Sequence, residues 1–325
     1  MNKPQGIMGS VLKTLAPSFW QPEQAATVLP LGAASVWDRR ARLVDLSKYN
    51  TGVDVKKMVS AGGIAGIIAR AGDGYGCNED TNPVVARVDL SLAGFVQQAY
   101  EAGIPCGAYW FFRPDMSQGV TPETDDQFRS FEYATRGKVI HFMVIDLEFA
   151  GGETNTNIAA KVKKFANWLW DLYKGKPLFF YTGNYWLQQY SPALIDWLGS
   201  QTDPKNMWMA QWIWSTPKVK TAWSDIWTNK QPADAQKIPT PGFATWKLWQ
   251  WATAFYGMEG AGIGEIDLNY YNGTKEDLYA FVHFKPGVPI PEPPPPTPGG
   301  DLEARVAELE KWRASLQTWH STYPK

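Results

Sequence analysis

Cysteine and histidine are almost missing from this sequence: Cys77 and Cys106, with His141, His283 and His320, are all that 325 residues contain. Two cysteines cannot build a disulfide framework, and neither sits at the spacing of a metal site or redox pair, so both are read as buried thiols. Histidines this scattered give no support to a zinc site or a Ser-His-Asp triad, and each is read as a structural or surface residue. An excess of one charge is missing too. The net charge is −1 and the pI is near 6.3, which lacks the basic field that neutralising phosphates requires and argues against nucleic acid as a partner. No apolar run approaches the ~20 residues of a membrane span. The stretch from Met1 to Trp20 has neither a continuous apolar core nor a small-residue cleavage site, so it is not read as a signal peptide. Gly72-Asp73-Gly74-Tyr75-Gly76 matches neither a Walker loop nor the dinucleotide fingerprint. It is read as a loop, and no cofactor is expected.

What is present is the balance of a folded domain, 44% hydrophobic and 19% charged. Aromatic residues reach 14%, with 17 tryptophans, more than a core of this size needs. Burial accounts for the larger share, and stacking on the flat faces of sugar rings is a use for the rest.

From Leu43 onward, short β-rich runs alternate with helical ones. The strand candidates are Leu43–Leu46, Ile64–Ala71, Cys106–Phe112, Phe142–Glu148, Leu178–Thr182, Met207–Trp212, Lys247–Trp251 and Ile266–Asn269. Helical stretches such as Asp89–Glu101 and Ile158–Tyr173 stop at Gly103-Ile104-Pro105 and Gly175-Lys176-Pro177. Such alternation argues for a parallel α/β domain, either closed as a barrel or open and doubly wound. Eight is the barrel number, and the sparse helical pattern from Gln211 to Trp251 predicts an irregular second half.

Four segments follow: 1–40, with an amphipathic helix over Ile7–Leu15; the barrel, 41–284; a Pro-rich linker, 285–300; and a short coiled-coil-like helix, 301–325. In the last, Leu302, Val306, Leu309 and Leu316 form an apolar stripe behind a capping Asp301. A stripe this short gains stability by associating. It is expected to pair in a homo-oligomer or with a partner coiled coil.

The most informative segment is Phe142-Met143-Val144-Ile145-Asp146-Leu147-Glu148. Period-two alternation puts Asp146 and Glu148 on one face of a strand end, which in a barrel is the active-site mouth. Neighbouring carboxylates repel, so one holds its proton to higher pH, as a general acid must. Leu43-Val44-Asp45 ends the first run and Glu265-Ile266-Asp267 opens the last, so four carboxylates converge. Unpaired buried carboxylates cost several kcal/mol each, which favours a functional reading, although an Asp-x-Glu pair also suits Mg²⁺.

The order of the motifs then resembles the glycoside hydrolase family 25 lysozymes, muramidases of phage endolysins and of bacterial and fungal secretions. The resemblance is carried by Val44-Asp45-Leu46-Ser47, Ile67-Ile68-Ala69-Arg70-Ala71-Gly72, the run Ala102–Phe112, Val144-Ile145-Asp146-Leu147-Glu148, Phe180-Tyr181-Thr182-Gly183, Trp208-Met209-Ala210-Gln211-Trp212, Trp249-Gln250-Trp251 and Ile266-Asp267-Leu268-Asn269. It implies an irregular, TIM-like (β/α) barrel and cleavage of the β-1,4 bond between N-acetylmuramic acid and N-acetylglucosamine in bacterial peptidoglycan. By resemblance, Glu148 matches the proton donor, and Asp45, Asp146 and Asp267 match the other active-site carboxylates. The second carboxylate could activate water, act as nucleophile, or hold the substrate's own acetamide; the last is favoured for Asp146. Tyr109, Tyr181, Trp212, Trp251 and Arg70 are the expected substrate contacts. Trp110 stands where many members carry His, which suggests a more apolar subsite. The resemblance also implies a phage-encoded or secreted enzyme acting on the cell wall. Two other readings remain: a virion-associated lysozyme docked through a terminal segment, and a glycan-binding barrel without hydrolysis.

Overall fold

The computed structural model describes residues 35–114, 124–200, 205–215, 222–229, 232–233, 237–240, 245–255, 258–262 and 265–287. The expected helices over Ile7–Leu15 and from Asp301 lie outside the described residues, as does nearly all of the Pro-rich segment.

Strands β1 (Arg42–Leu46), β2 (Ile64–Asp73), β3 (Cys106–Phe111), β4 (Phe142–Asp146), β5 (Leu178–Gly183), β6 (Lys205–Ser215), β7 (Leu248–Phe255) and β8 (Ile266–Tyr271) close into a barrel in chain order. The sheet is therefore closed rather than open and doubly wound. All eight expected runs are strands, with ends that shift by a few residues. Around and between them lie α1 (Val55–Gly62), α2 (Pro83–Ala86), α3 (Leu92–Glu101), α4 (Thr124–Thr135), α5 (Asn155–Leu172), α6 (Asn184–Tyr190), α7 (Pro192–Ser200), α8 (Trp223–Asn229) and α9 (Lys275–Phe281).

Local chemistry sets these boundaries. Asp54 accepts a hydrogen bond from the Lys57 amide to start α1, and Gly63 ends it in the left-handed region at φ 64°. Thr154 caps α5, whose Ile158, Ala159, Val162, Phe165, Ala166 and Leu169 form one buried stripe. Strand β2 is buried along its whole length, as expected of a parallel strand covered on both faces.

Alternation along the strands divides the core in two. Leu43, Ile68, Tyr109, Phe142, Val144, Phe179, Tyr181, Trp208 and Leu248 fill the barrel interior, whereas Val44, Ile67, Trp110, Ile145, Phe180, Trp249 and Trp251 pack outward. Among the described residues, most tryptophans pack outward. Trp37, from the 3-10 turn Val36–Arg39 just ahead of β1, packs within 5.2 Å of both Trp249 and Tyr270. Gly72 admits this packing on β2: a Cβ there would lie 2.3 Å from both the Arg87 carbonyl and the Trp110 ring.

Strands β1 to β7 run parallel, but β8 is antiparallel to both β7 and β1. Only residues 256–265 separate β7 from β8, too few for the crossover that a parallel return requires. The chain therefore enters β8 at the mouth and leaves it at the opposite end. There α9 closes the barrel, with Leu278, Tyr279 and Val282 in the interior core and Phe281 against Phe179. The Ala41 amide bonds the Gly273 carbonyl at this same end, where Arg40 also bonds Asn272.

Candidate active site

Interior-facing positions near the C-terminal ends of the parallel strands define a mouth. Asp45 reaches it from β1, Arg70 from β2, Tyr109 from β3, Asp146 from β4, Tyr181 from β5 and Gln250 from β7. Because β8 is reversed, its mouth residues come at its start: Asp267 pairs in register with Asp45, and Asn269 follows on the same face. Register thus sets Asp267 beside Asp45, and the Asp45 charge also acts on Asp146 and Glu148.

Asp45 is held by amides. Asn269 Nδ2 and Gln250 Nε2 both donate to its Oδ2, at 2.8 and 3.0 Å, and Asp267 hydrogen-bonds to the same carboxyl group. Burial pushes Asp45 up to about 6, against the opposing pull of these hydrogen bonds. Each amide is itself fixed: Asn269 Oδ1 accepts from Trp208 Nε1 at 2.8 Å, and Gln250 Oε1 accepts from Tyr181 Oη and Trp212 Nε1, both at 2.7 Å.

Asp146 ends β4 and is buried. Its Oδ1 has no hydrogen-bond partner among the described residues. Burial pushes its carboxyl well up, and the charges of Glu148 and Asp45 push it further. Glu148 lies two residues past the strand, at the rim and only half-buried. Burial raises it as well, with Asp45 adding, while its side-chain contact with the Tyr181 hydroxyl and the Arg113 cation oppose the rise. Arg113 forms a two-pronged ion pair with Asp73, both contacts 3.0 Å. Its guanidinium lies 4.4 Å from the centre of the Tyr75 ring, 4.1 Å from Phe111 and 4.5 Å from Phe149. The carboxylate pair thus has one fixed cation close by. Among the described residues, no group of three or more His, Cys, Asp or Glu is arranged to hold a metal ion.

The other expected contacts divide. Tyr109 and Tyr181 face the interior beneath the mouth, and Trp212 is 40% exposed at its edge. Arg70 requires correction: it is 2% exposed, and its Nε donates to Asp89 at 2.8 Å. With Tyr49 lying over the guanidinium at 5.1 Å, Arg70 supports the site from below rather than presenting a cation to a ligand. Trp251 requires correction too. It is fully buried on the outward face, stacked on Tyr270 at 5.6 Å, so it offers no face to a sugar. Trp110 likewise points outward, where its Nε1 donates to Gln127 at 3.1 Å; the apolar subsite expected from it is not formed. The residues that sequence reasoning passed over are Gln250, Asn269, Arg113 and Asp73. For the first two the signal was present: Gln250 shares a face with Leu248, and Asn269 shares one with Asp267.

Residues 44–258 match the model of the family described as glycosyl hydrolases family 25. Lysozyme M1 of Streptomyces globisporus is 24% identical over 247 residues, covering 74% of this chain and 70% of that enzyme. Among solved structures, a muramidase from Acremonium alcalophilum superposes with a TM-score of 0.52 at 16% identity, covering 76% of this chain and 100% of that one. The CTP1L endolysin gives 0.51 at 19% identity over 74% of this chain and 69% of that one. The catalytic domain of endolysin ply40 from bacteriophage P40 of Listeria monocytogenes gives 0.51 at 14% identity, covering 76% and 98%.

Proposed function

The chain belongs to glycosyl hydrolases family 25, and from that membership we propose that it is a muramidase cleaving the β-1,4 bond between N-acetylmuramic acid and N-acetylglucosamine, with Glu148 as acid and Asp146 as the holder of the substrate acetamide. The observation that carries the division of labour is the contrast within the pair. Glu148 sits at the rim, where a glycosidic oxygen can reach it, and Asp146 lies deeper with a buried oxygen that has no partner among the described residues. Such an oxygen costs roughly 1–3 kcal/mol until a donor arrives, and the N–H of an N-acetyl group is a donor of the right kind. Bonded there, the acetamide presents its carbonyl oxygen to the anomeric carbon as Glu148 protonates the leaving oxygen. Asp45 and Asp267 lie across the mouth and stabilise the positive charge that develops on the ring. Trp212 supplies an exposed ring for stacking.

The test is mass analysis of fragments released from purified cell walls by the full chain and by Glu148→Gln. The reading requires new reducing ends on N-acetylmuramic acid and a loss of about 10²-fold or more in the variant, the scale of general acid catalysis. Reducing ends on N-acetylglucosamine, or a variant within a few-fold of the parent, would refute it.

We further propose that the enzyme acts on the host wall as a phage endolysin, a role supported by the likeness to two endolysins. Its presence in purified virions would instead favour a structural lysozyme.

A further inference from the structure

Gln250 is almost wholly buried, on β7 between Tyr181 of β5, Trp212 of β6 and Asp45 of β1. Both ends of its carboxamide are engaged at the mouth. Oε1 accepts from Tyr181 Oη and from Trp212 Nε1, and Nε2 donates to Asp45 Oδ2. Two donors on one side and a carboxylate on the other permit only one orientation of the amide. Trp212 is the exposed member of this set, and its indole cannot turn without breaking its bond to Gln250.

We infer that Gln250 is a positioning residue that ties the orientation of Asp45 to sugar contact at Trp212, a role that rests on the glycosidase reading above. A sugar stacked on Trp212 holds the indole N–H on Gln250 Oε1, and the rigid amide passes that constraint to Asp45 Oδ2. A second amide, Asn269, reaches the same oxygen from β8 but connects to buried Trp208 rather than to the ligand side. Asp45 is therefore anchored once to the core and once to the substrate surface. The ionisable groups facing this network are Asp267 on β8, Asp146 and Glu148 at the end of β4, Tyr109 on β3 and Tyr181 on β5. Arg70 on β2 lies below them, paired with Asp89.

The experiment measures kcat and KM for the full chain on soluble, uncrosslinked peptidoglycan strands between pH 4 and 8, with thermal melting as the check on folding. Gln250→Leu removes both functions of the amide. It should lower kcat by about 10- to 100-fold, the loss for a hydrogen bond to a charged group, with KM changed by less than about threefold. Gln250→Glu keeps the shape. Protonated at low pH, it both donates and accepts, and kcat should stand within about threefold of the parent at pH 4; ionised, it opposes Asp45 and kcat should fall at least about tenfold further by pH 7. Trp212→Phe should lower kcat in the parent and add nothing in the Gln250→Leu background. A Gln250→Glu profile parallel to the parent's, or additive effects of the Trp212 and Gln250 changes, would overturn the inference while leaving the muramidase reading intact. A parent chain inactive at every pH would sink both.

Discussion

Replacing Asp45 by Asn should make the protein more stable and less active. In the folded state burial lifts the Asp45 carboxyl from an ordinary 3.8 to about 6, so the native protein holds a proton that the unfolded chain has already shed between those values. Stability therefore falls as pH rises through the window from about 4 to 6, and the full cost remains at pH 7. At ~1.4 kcal/mol per pH unit the cost is about 3 kcal/mol at most; partial exposure and relaxation of the network reduce this to roughly 1–3 kcal/mol. Asn carries no charge, yet its carbonyl can accept from Asn269 and Gln250, and its amide can donate to Asp267. Asp45→Asn should thus raise Tm at pH 7 by roughly 2–8 °C for a domain of this size, with the gain fading to nothing near pH 4. Wall hydrolysis should drop in the same samples. Differential scanning calorimetry at pH 4, 5, 6 and 7 makes the comparison. A Tm at pH 7 that is unchanged or lower, or a gain of equal size at pH 4, would show that Asp45 is not held at the mouth at the expense of folding.

Exhaustive EDTA treatment should leave the hydrolysis rate unchanged, because the carboxylates are assigned to acid and electrostatic work; loss of rate restored by Mg²⁺ or Mn²⁺ would favour ligation instead. Trp212→Ala should raise KM on peptidoglycan strands while barely moving Tm, whereas Trp251→Ala should cost roughly 3–5 kcal/mol of stability, the price of emptying a fully buried tryptophan site; equal Tm losses in the two variants would overturn their placement on opposite faces. For the C-terminal stripe of Leu302, Val306, Leu309 and Leu316, light scattering should find that the full chain self-associates and that a chain ending at Lys285 is monomeric and still cleaves wall glycan. Equal, monomeric masses would count against self-association.

The barrel was legible because its strands are short, apolar runs, the first six of them spaced by helices. The direction of β8 was not, since a strand reads alike in either sense; only the brevity of 256–265 carries the information, through what it leaves no room for. The four carboxylates stood out as acids closing or opening apolar runs. Their supporting amides did not, because Gln250 and Asn269 look like ordinary polar positions until pairing shows that both reach one oxygen of Asp45. The errors at Trp251 and Trp110 share a cause. Both lie on strands that feed the mouth, and a large aromatic there invites a sugar, but alternation sends every second residue outward. Counting from Leu248 selects Gln250 and rejects Trp251. Arg70 has the correct face, and what hid its role was its partner Asp89, a contact between residues that sequence order does not advertise.

The closure of the barrel by α9 has a practical side. Helix α9 covers the end away from the mouth, and its Lys275 and Glu276 are exposed there, so a surface, a resin bead or a carrier attached at Lys275 or Glu276 would hold the molecule with its cleft facing outward. Immobilisation through either position should leave the enzyme as accessible to a large insoluble wall as it is when free, whereas coupling through residues near Tyr49 or Tyr185 would turn the cleft toward the support.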